Sequence, residues 1–307
     1  MSTTDETASA NGTVSTTAEA GTPFLGRIVV PVDGSPFSER ALPVAAWLAH
    51  DVGSPLHLVQ VVARRGVERA IHHIHDLAHR FGAAGWDVVR GDDPATAIHA
   101  ATREDGAALT CLATHGRDRS VALLGSVATA VLDRATRPVM LVGPAARPPC
   151  SADAEAVVAV DGSPDDGRVV AVAAEWAAQL GRPLVVATVA EPAPAPFRPG
   201  RAPHRFRGPD DPERYVANLA TGVESPVGPV KTVVVYDPIS VRSGLMQLLD
   251  RTAGLLVTGA HGRIRPLRAL VGSHTARIVH DIEVPALVVP LSDANLPERP
   301  TVEQPGT

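Results

Sequence analysis

Residues 27–42 read RIVVPVDGSPFSERAL, and residues 156–170 read AVVAVDGSPDDGRVV. Each begins with a near-continuous Val/Ile/Ala run, as expected of a strand buried on both faces. Each then turns through Asp-Gly-Ser and enters a segment opened by Ser-Pro, a pairing suited to a helix N-cap followed by proline at the first helical position. The likeness continues downstream. An Ala-rich segment containing tryptophan and ending in glycine comes next, AAWLAHDVG and then AAEWAAQLG. A second apolar run follows, SPLHLVQVV and then RPLVVATVA, and each unit closes on another, RPVMLVG and then VPALVVP. Self-similarity on this scale marks a tandem duplication.

Short apolar runs alternating with longer amphipathic segments predict parallel sheets covered by helices on both sides. In the first unit, strands are expected near 27–33, 56–62, 86–90, 108–114 and 138–142, with helices near 36–52, 67–84, 94–105 and 125–136. Ser35, Ser163, Asp93 and Asp237 each precede a proline and are expected as N-caps. The expected fold is α/β, with two tandem doubly wound five-stranded parallel sheets. The expected organisation is a disordered tail over 1–23, domains over 24–144 and 155–292, a linker over 145–154 and a disordered tail over 293–307. Asp33 and Asp161 stand 128 positions apart, whereas His115 and His261 stand 146 apart. The second unit therefore carries about 18 extra residues, expected between its second and third strands in the Pro/Arg-rich region 191–212.

Composition narrows the function classes. The chain has 307 residues, 28 basic against 33 acidic side chains, and a formal charge of −5. Lys231 is the sole lysine, and no basic cluster resembles a nucleic-acid footprint. Two cysteines, Cys111 and Cys150, are too few for a disulfide framework. No segment reaches the roughly 18 apolar residues of a membrane span. A cytoplasmic protein without membrane or nucleic-acid partners is expected.

The chemistry concentrates in a second repeated phrase. Residues 256–273 read LVTGAHGRIRPLRALVGS and residues 112–126 read LATHGRDRSVALLGS. The longer copy has the spacing Gly-x2-Gly-x9-Gly-Ser: Gly259 at a strand end, Gly262 in the loop, then Gly272 and Ser273 opening a helix. Glycine at a strand end permits positive φ or a close approach. Free N–H groups at a helix start, with a hydroxyl, suit a phosphate. Asp161 offers a carboxylate to a ribose or base, and open α/β sheets bind ligands where strand order reverses.

Taken together, VAVDGS, TGAHGRIRPLRALVGS and VPALVVP resemble the universal stress protein family, over roughly residues 25–143 and 155–291. The resemblance implies a tandem member and ATP as ligand, with Mg2+ as an optional companion. It assigns Gly259, Gly262, Gly272 and Ser273 to the phosphates and ribose, with His274 and Thr275 adjacent. Asp161 would meet the adenosine and Val189 would line the adenine pocket. In the first unit Asp33, Val61, Gly116, Gly125 and Ser126 match. Ala113 replaces the first glycine, and eight residues rather than nine precede Gly125. If that position required positive φ, alanine would cost on the order of 1 kcal/mol. The first site is thus expected to be weakened or repurposed. Family members dimerise through the last strand, so VMLVG and ALVVP are expected to pair the two units with each other or with a second chain.

Blander readings hold elsewhere. His115 and His261 lack a partnered Ser or Asp at catalytic spacing and are read as loop-ordering residues. His72, His75 and His79 flank the stripe Ile71, Ile74, Ala78 and Phe81, the boundary of an amphipathic helix rather than a metal site. Arg263, Arg265 and Arg268 are candidates for neutralising phosphate. No Walker A sequence, dinucleotide fingerprint or nucleophile elbow is present. The function expected is a nucleotide-dependent stress regulator. Two alternatives stand beside it: an interaction scaffold that binds no nucleotide, and a slow ATPase of the same superfamily.

Overall fold

The computed structural model describes residues 26–63, 66–103, 108–115, 124–151, 153–190, 211–237, 240–260 and 273–291. The strands are β1 (Arg27–Val32), β2 (Leu56–Val62), β3 (Gly85–Arg90), β4 (Ala108–Ala113) and β5 (Val139–Val142), then β6 (Glu155–Ala159), β7 (Leu184–Ala190), β8 (Lys231–Tyr236), β9 (Ala253–Ala260) and β10 (Ala286–Pro290). The helices are α1 (Ala41–Asp51), α2 (Val67–Phe81), α3 (Pro94–Arg103) and α4 (Ser126–Arg134), then α5 (Asp166–Gln179), α6 (Pro212–Thr221), α7 (Val241–Thr252) and α8 (Ser273–Asp281).

All ten strands join one sheet in the order β3-β2-β1-β4-β5-β10-β9-β6-β7-β8. Neighbours within each half run parallel. The halves meet edge to edge where β5 and β10 pair antiparallel, Val139 opposite Val288 and Leu141 opposite Ala286. β5 is buried along its whole length and β10 along all but its last residue, so leaving either edge unpaired would strand ladder groups away from water. Of the two pairings open to these runs, the chain uses its own halves. Two copies of one edge related by a two-fold axis must run antiparallel. The carboxyl ends of the strands therefore point in opposite directions in the two halves.

Helices cover both faces. One core cluster joins α1, α2, α5 and α6 side chains to the sheet; another joins those of α3, α4, α7 and α8. At the junction the chain past β5 lies directly on α8: a Cβ built on Gly143 would stand 2.1 Å from the Val279 carbonyl oxygen. The Arg147 N–H donates to the Glu283 carbonyl at 2.9 Å. Arg182, 4% exposed, donates to the carbonyls of Ser151 and Ala154, and its guanidinium lies 3.7 Å from Asp51 and over the Trp47 ring. A buried guanidinium thus ties the connection to both halves. The first half has Ser54 at the equivalent position, so the duplication alone does not foretell this clamp.

Observed strands fall within a residue or so of the expected ones. The segment between β2 and β3 has 22 residues and that between β7 and β8 has 40, so the 18 extra residues sit where spacing placed them. Residues 191–210 lie outside the described set; the insertion's last two residues start α6, where Asp211 accepts the Arg214 N–H at 2.9 Å. Asp93 caps α3 through the N–H groups of Ala95 and Thr96. Three expected caps need correction. Ser240 rather than Asp237 caps α7, and Asp237 instead accepts the Ser240 N–H. The Ser35 hydroxyl accepts the Ser38 N–H in a 3-10 turn, and α1 begins only at Ala41. Ser163 donates its hydroxyl to Asp166, and α5 starts later than the Ser-Pro pair implies, with Asp165 at its N-cap.

Candidate functional site

In the second half, β6 leads through Val160 to Asp161, and β6 lies beside β9. The helices that follow these strands, α5 and α8, pack into clusters on opposite faces of the sheet. Their carboxyl ends therefore form a switch point of the kind that receives ligands in open α/β sheets. Asp161 is exposed there, and its Oδ1 accepts the Ser163 N–H at 3.1 Å. Gly162 has φ 86°, and Gly34 has φ 77° in the matching turn. This left-handed turn fits glycine and explains why Asp-Gly-Ser occurs twice.

Asp166, invisible to the motif reading, organises this loop. It is 4% exposed and accepts the backbone N–H groups of Asp161, Gly162 and Ser163 at 3.1, 2.8 and 3.1 Å. The Ser163 hydroxyl donates to it at 2.9 Å and the Tyr215 hydroxyl, from α6, at 2.8 Å. Burial raises the Asp166 carboxyl above the usual range, outweighing the hydrogen bonds that favour its ionised form. Burial, followed by the bond to Asp166, pushes the Tyr215 phenol up. In the first half Ser38 holds the same position. Its hydroxyl accepts one N–H, from Asp33, and donates to the Ser35 carbonyl.

Gly259 lies in β9 opposite Val289 and does not have positive φ. A Cβ there would stand 2.9 Å from Leu291 Cδ1 and 3.0 Å from Val169 Cγ2. A side chain there would have to push aside Val169 of α5 and Leu291 in the segment after β10. Ser273 is the first residue of α8, with His274 and Thr275 in its first turn. Gly262, Gly272, His261 and the three loop arginines lie outside the described residues. Val189 is half-buried, and α7 presses on it: a Cβ on Gly244 would meet Val189 Cγ1 at 2.7 Å.

In the first half, Asp33 accepts the Ser35 N–H at 2.9 Å, and Val61 is half-buried on β2. Gly125 is the extended N-cap of α4, without a side-chain cap bond, and its N–H donates to the Thr114 carbonyl at 2.7 Å. A Cβ on Gly125 would crowd that carbonyl at 3.2 Å. Ser126 opens α4 and is exposed; Gly116 lies outside the described residues. His115 stands edge-on to His280 of α8, centroids 5.9 Å apart, so the second half reaches the strand end of the first.

His72, His75 and His79 of α2 are exposed, and the half-buried His73 lies 3.1 Å from Glu39. His72 Nδ1 lies 2.8 Å from the Glu68 carbonyl and His75 stands edge-on to Trp86. Among the described residues no group of three or more His, Cys, Asp or Glu is arranged for a metal, and no helix is long and apolar enough to cross a membrane. Cys111 is buried, and desolvation pushes its thiol up.

The model of the universal stress protein family matches residues 25–78, 86–143 and 155–290. A universal stress protein of Mycobacterium tuberculosis is 29% identical over 317 aligned positions, covering 90% of this chain and 96% of the relative. Among solved structures, a universal stress protein from Archaeoglobus fulgidus superposes with a TM-score of 0.60 at 16% identity, over 87% of this chain and 97% of that one. A second, from Pseudomonas aeruginosa, gives 0.58 at 18%, over 87% and 94%. At these identities the structures speak for the fold.

Proposed function

Because the chain belongs to the universal stress protein family, we propose that it is a nucleotide-dependent regulator that binds ATP at the switch point of its second half. The observation carrying this reading is the shared strand-end location of Asp161, Gly259 and the start of α8 at Ser273. On this reading Asp161 holds the ribose, Val189 borders the base, and Gly262, Gly272, Ser273, His274 and Thr275 surround the phosphates. The N-terminal dipole and free N–H groups of α8 suit the negative charge. Asp33, Val61, Gly125 and Ser126 form the equivalent frame in the first half, with Gly116 in the loop between.

Purified protein, precipitated with acid and resolved by chromatography, is expected to release adenine nucleotide. Calorimetry with ATP, in the presence and absence of Mg2+, is expected to show binding, and the melting temperature is expected to rise with ATP because the ligand favours the native state. Empty protein that neither binds ATP at millimolar concentration nor gains stability from it would remove the nucleotide reading and favour an interaction scaffold.

A further inference from the structure

The geometry points to Asp166, braced by Tyr215, as the residue that positions Asp161 for the nucleoside end of the ligand and keeps phosphate off this loop. The inference rests on the ATP reading of the second half. Three consecutive backbone N–H groups, those of Asp161, Gly162 and Ser163, converge on one point. Such a concavity is an anion site. Here the chain fills it with its own carboxylate, 96% buried. Those N–H groups are consequently spent on Asp166. Asp161 adds an exposed carboxylate to the same short loop, while Asp165 is paired with the Arg168 guanidinium at 3.3 Å. Phosphate is repelled from this end of the switch point and left to the start of α8, which fixes the direction in which a nucleotide lies. The same bonds hold the Asp161 backbone, so the exposed Asp161 carboxylate is presented from a loop anchored at three successive residues. The Tyr215 hydroxyl, 2.8 Å from Asp166 Oδ2, ties this anchor to α6. The first half lacks the device, since the Ser38 hydroxyl takes a single N–H and carries no charge.

Three variants of the full chain separate positioning from general stability: Asp166→Ala, Asp166→Asn and Tyr215→Phe. Calorimetric affinities for ATP and 2′-deoxy-ATP are the readout, and circular dichroism establishes that each variant is folded. Removing the acceptor by Asp166→Ala is expected to weaken ATP about tenfold and to erase the preference for ATP over 2′-deoxy-ATP, as loss of a well-made bond to the ribose would. Asp166→Asn keeps an acceptor oxygen facing the three N–H groups and is expected to stay within about threefold of the parent with its preference intact. Tyr215→Phe is expected to weaken ATP about threefold. The inference is overturned if folded Asp166→Ala binds both nucleotides as the parent does. It is equally overturned if Asp166→Ala and Asp166→Asn lose affinity alike, or if affinity falls with the ATP to 2′-deoxy-ATP ratio unchanged. Should Asp166→Ala fail to fold, an unchanged affinity and ratio in Tyr215→Phe overturns it. A parent chain that binds neither nucleotide is the separate failure of the ATP reading, and it takes this inference with it.

Discussion

The first half ends β4 in Ala113, and Ala41 stands at the start of its covering helix; the second ends β9 at Gly259–Ala260, with Val169 at the position equivalent to Ala41. The glycine in β9 is crowded by Val169 and Leu291, and Ala113 packs against the cluster that contains Ala41. One methyl-bearing position has shifted from helix to strand. The exchange of Val169 for Ala41 accompanies that of Gly259 for Ala113, so the missing glycine of the first half does not by itself mark a disabled site. The loops after β1 and β6 differ more deeply, a hydroxyl in one and a buried carboxylate with five donors in the other.

The largest effect is expected where the halves meet. Gly143→Ala places a methyl group against the Val279 carbonyl, backbone that cannot turn aside. The cost should reach or exceed the upper end of about 1–3 kcal/mol seen for overpacking, read from the denaturant midpoint. A variant as stable as the parent would show that the junction is looser than its geometry. A double-mutant cycle sharpens the comparison of strand ends. Gly259→Ala should cost about 1 kcal/mol or more alone and distinctly less in a Val169→Ala background, a coupling of about 0.5–1 kcal/mol. Additive effects would show that the two exchanges are independent.

A smaller effect depends on pH. Asp166 keeps its proton to higher pH in the folded chain than in the unfolded one, because burial disfavours the charge. Its contribution to stability is thus complete below the unfolded value and is lost as pH rises through the folded one. Asp166→Asn escapes that loss, so its melting temperature should gain on the parent's as pH rises from the unfolded carboxyl value of about 3.9 through the raised folded one. A difference that is constant over this range would break the reading.

Legibility followed the range of the interactions. Val/Ile/Leu runs placed the strands, and the 128- and 146-residue offsets located the insertion, because periodicity and duplication are written locally. Caps were less secure: Asp93 reads true, but at Ser163 and Asp237 a neighbouring acceptor or a shifted helix start altered the outcome. Asp166 and Arg182 were missed. Asp166 stands in view in DGSPDD, yet its role needs Tyr215, 49 positions away, and Arg182 needs carbonyls from the connection between the halves.

By itself the sequence determined the repeated βα pattern, the parallel pairing within each five-stranded half, and the acids and Gly259 that stand at strand ends. Which partner β5 and β10 would choose was decided only in three dimensions. An apolar edge states that it must be covered, but its hydrogen-bond groups are the same for any strand, so only the folded chain shows that each half covers the other. What a side chain at Gly259 would press against was likewise visible only in the tertiary structure, since the neighbours Val169 and Leu291 come from distant parts of the chain.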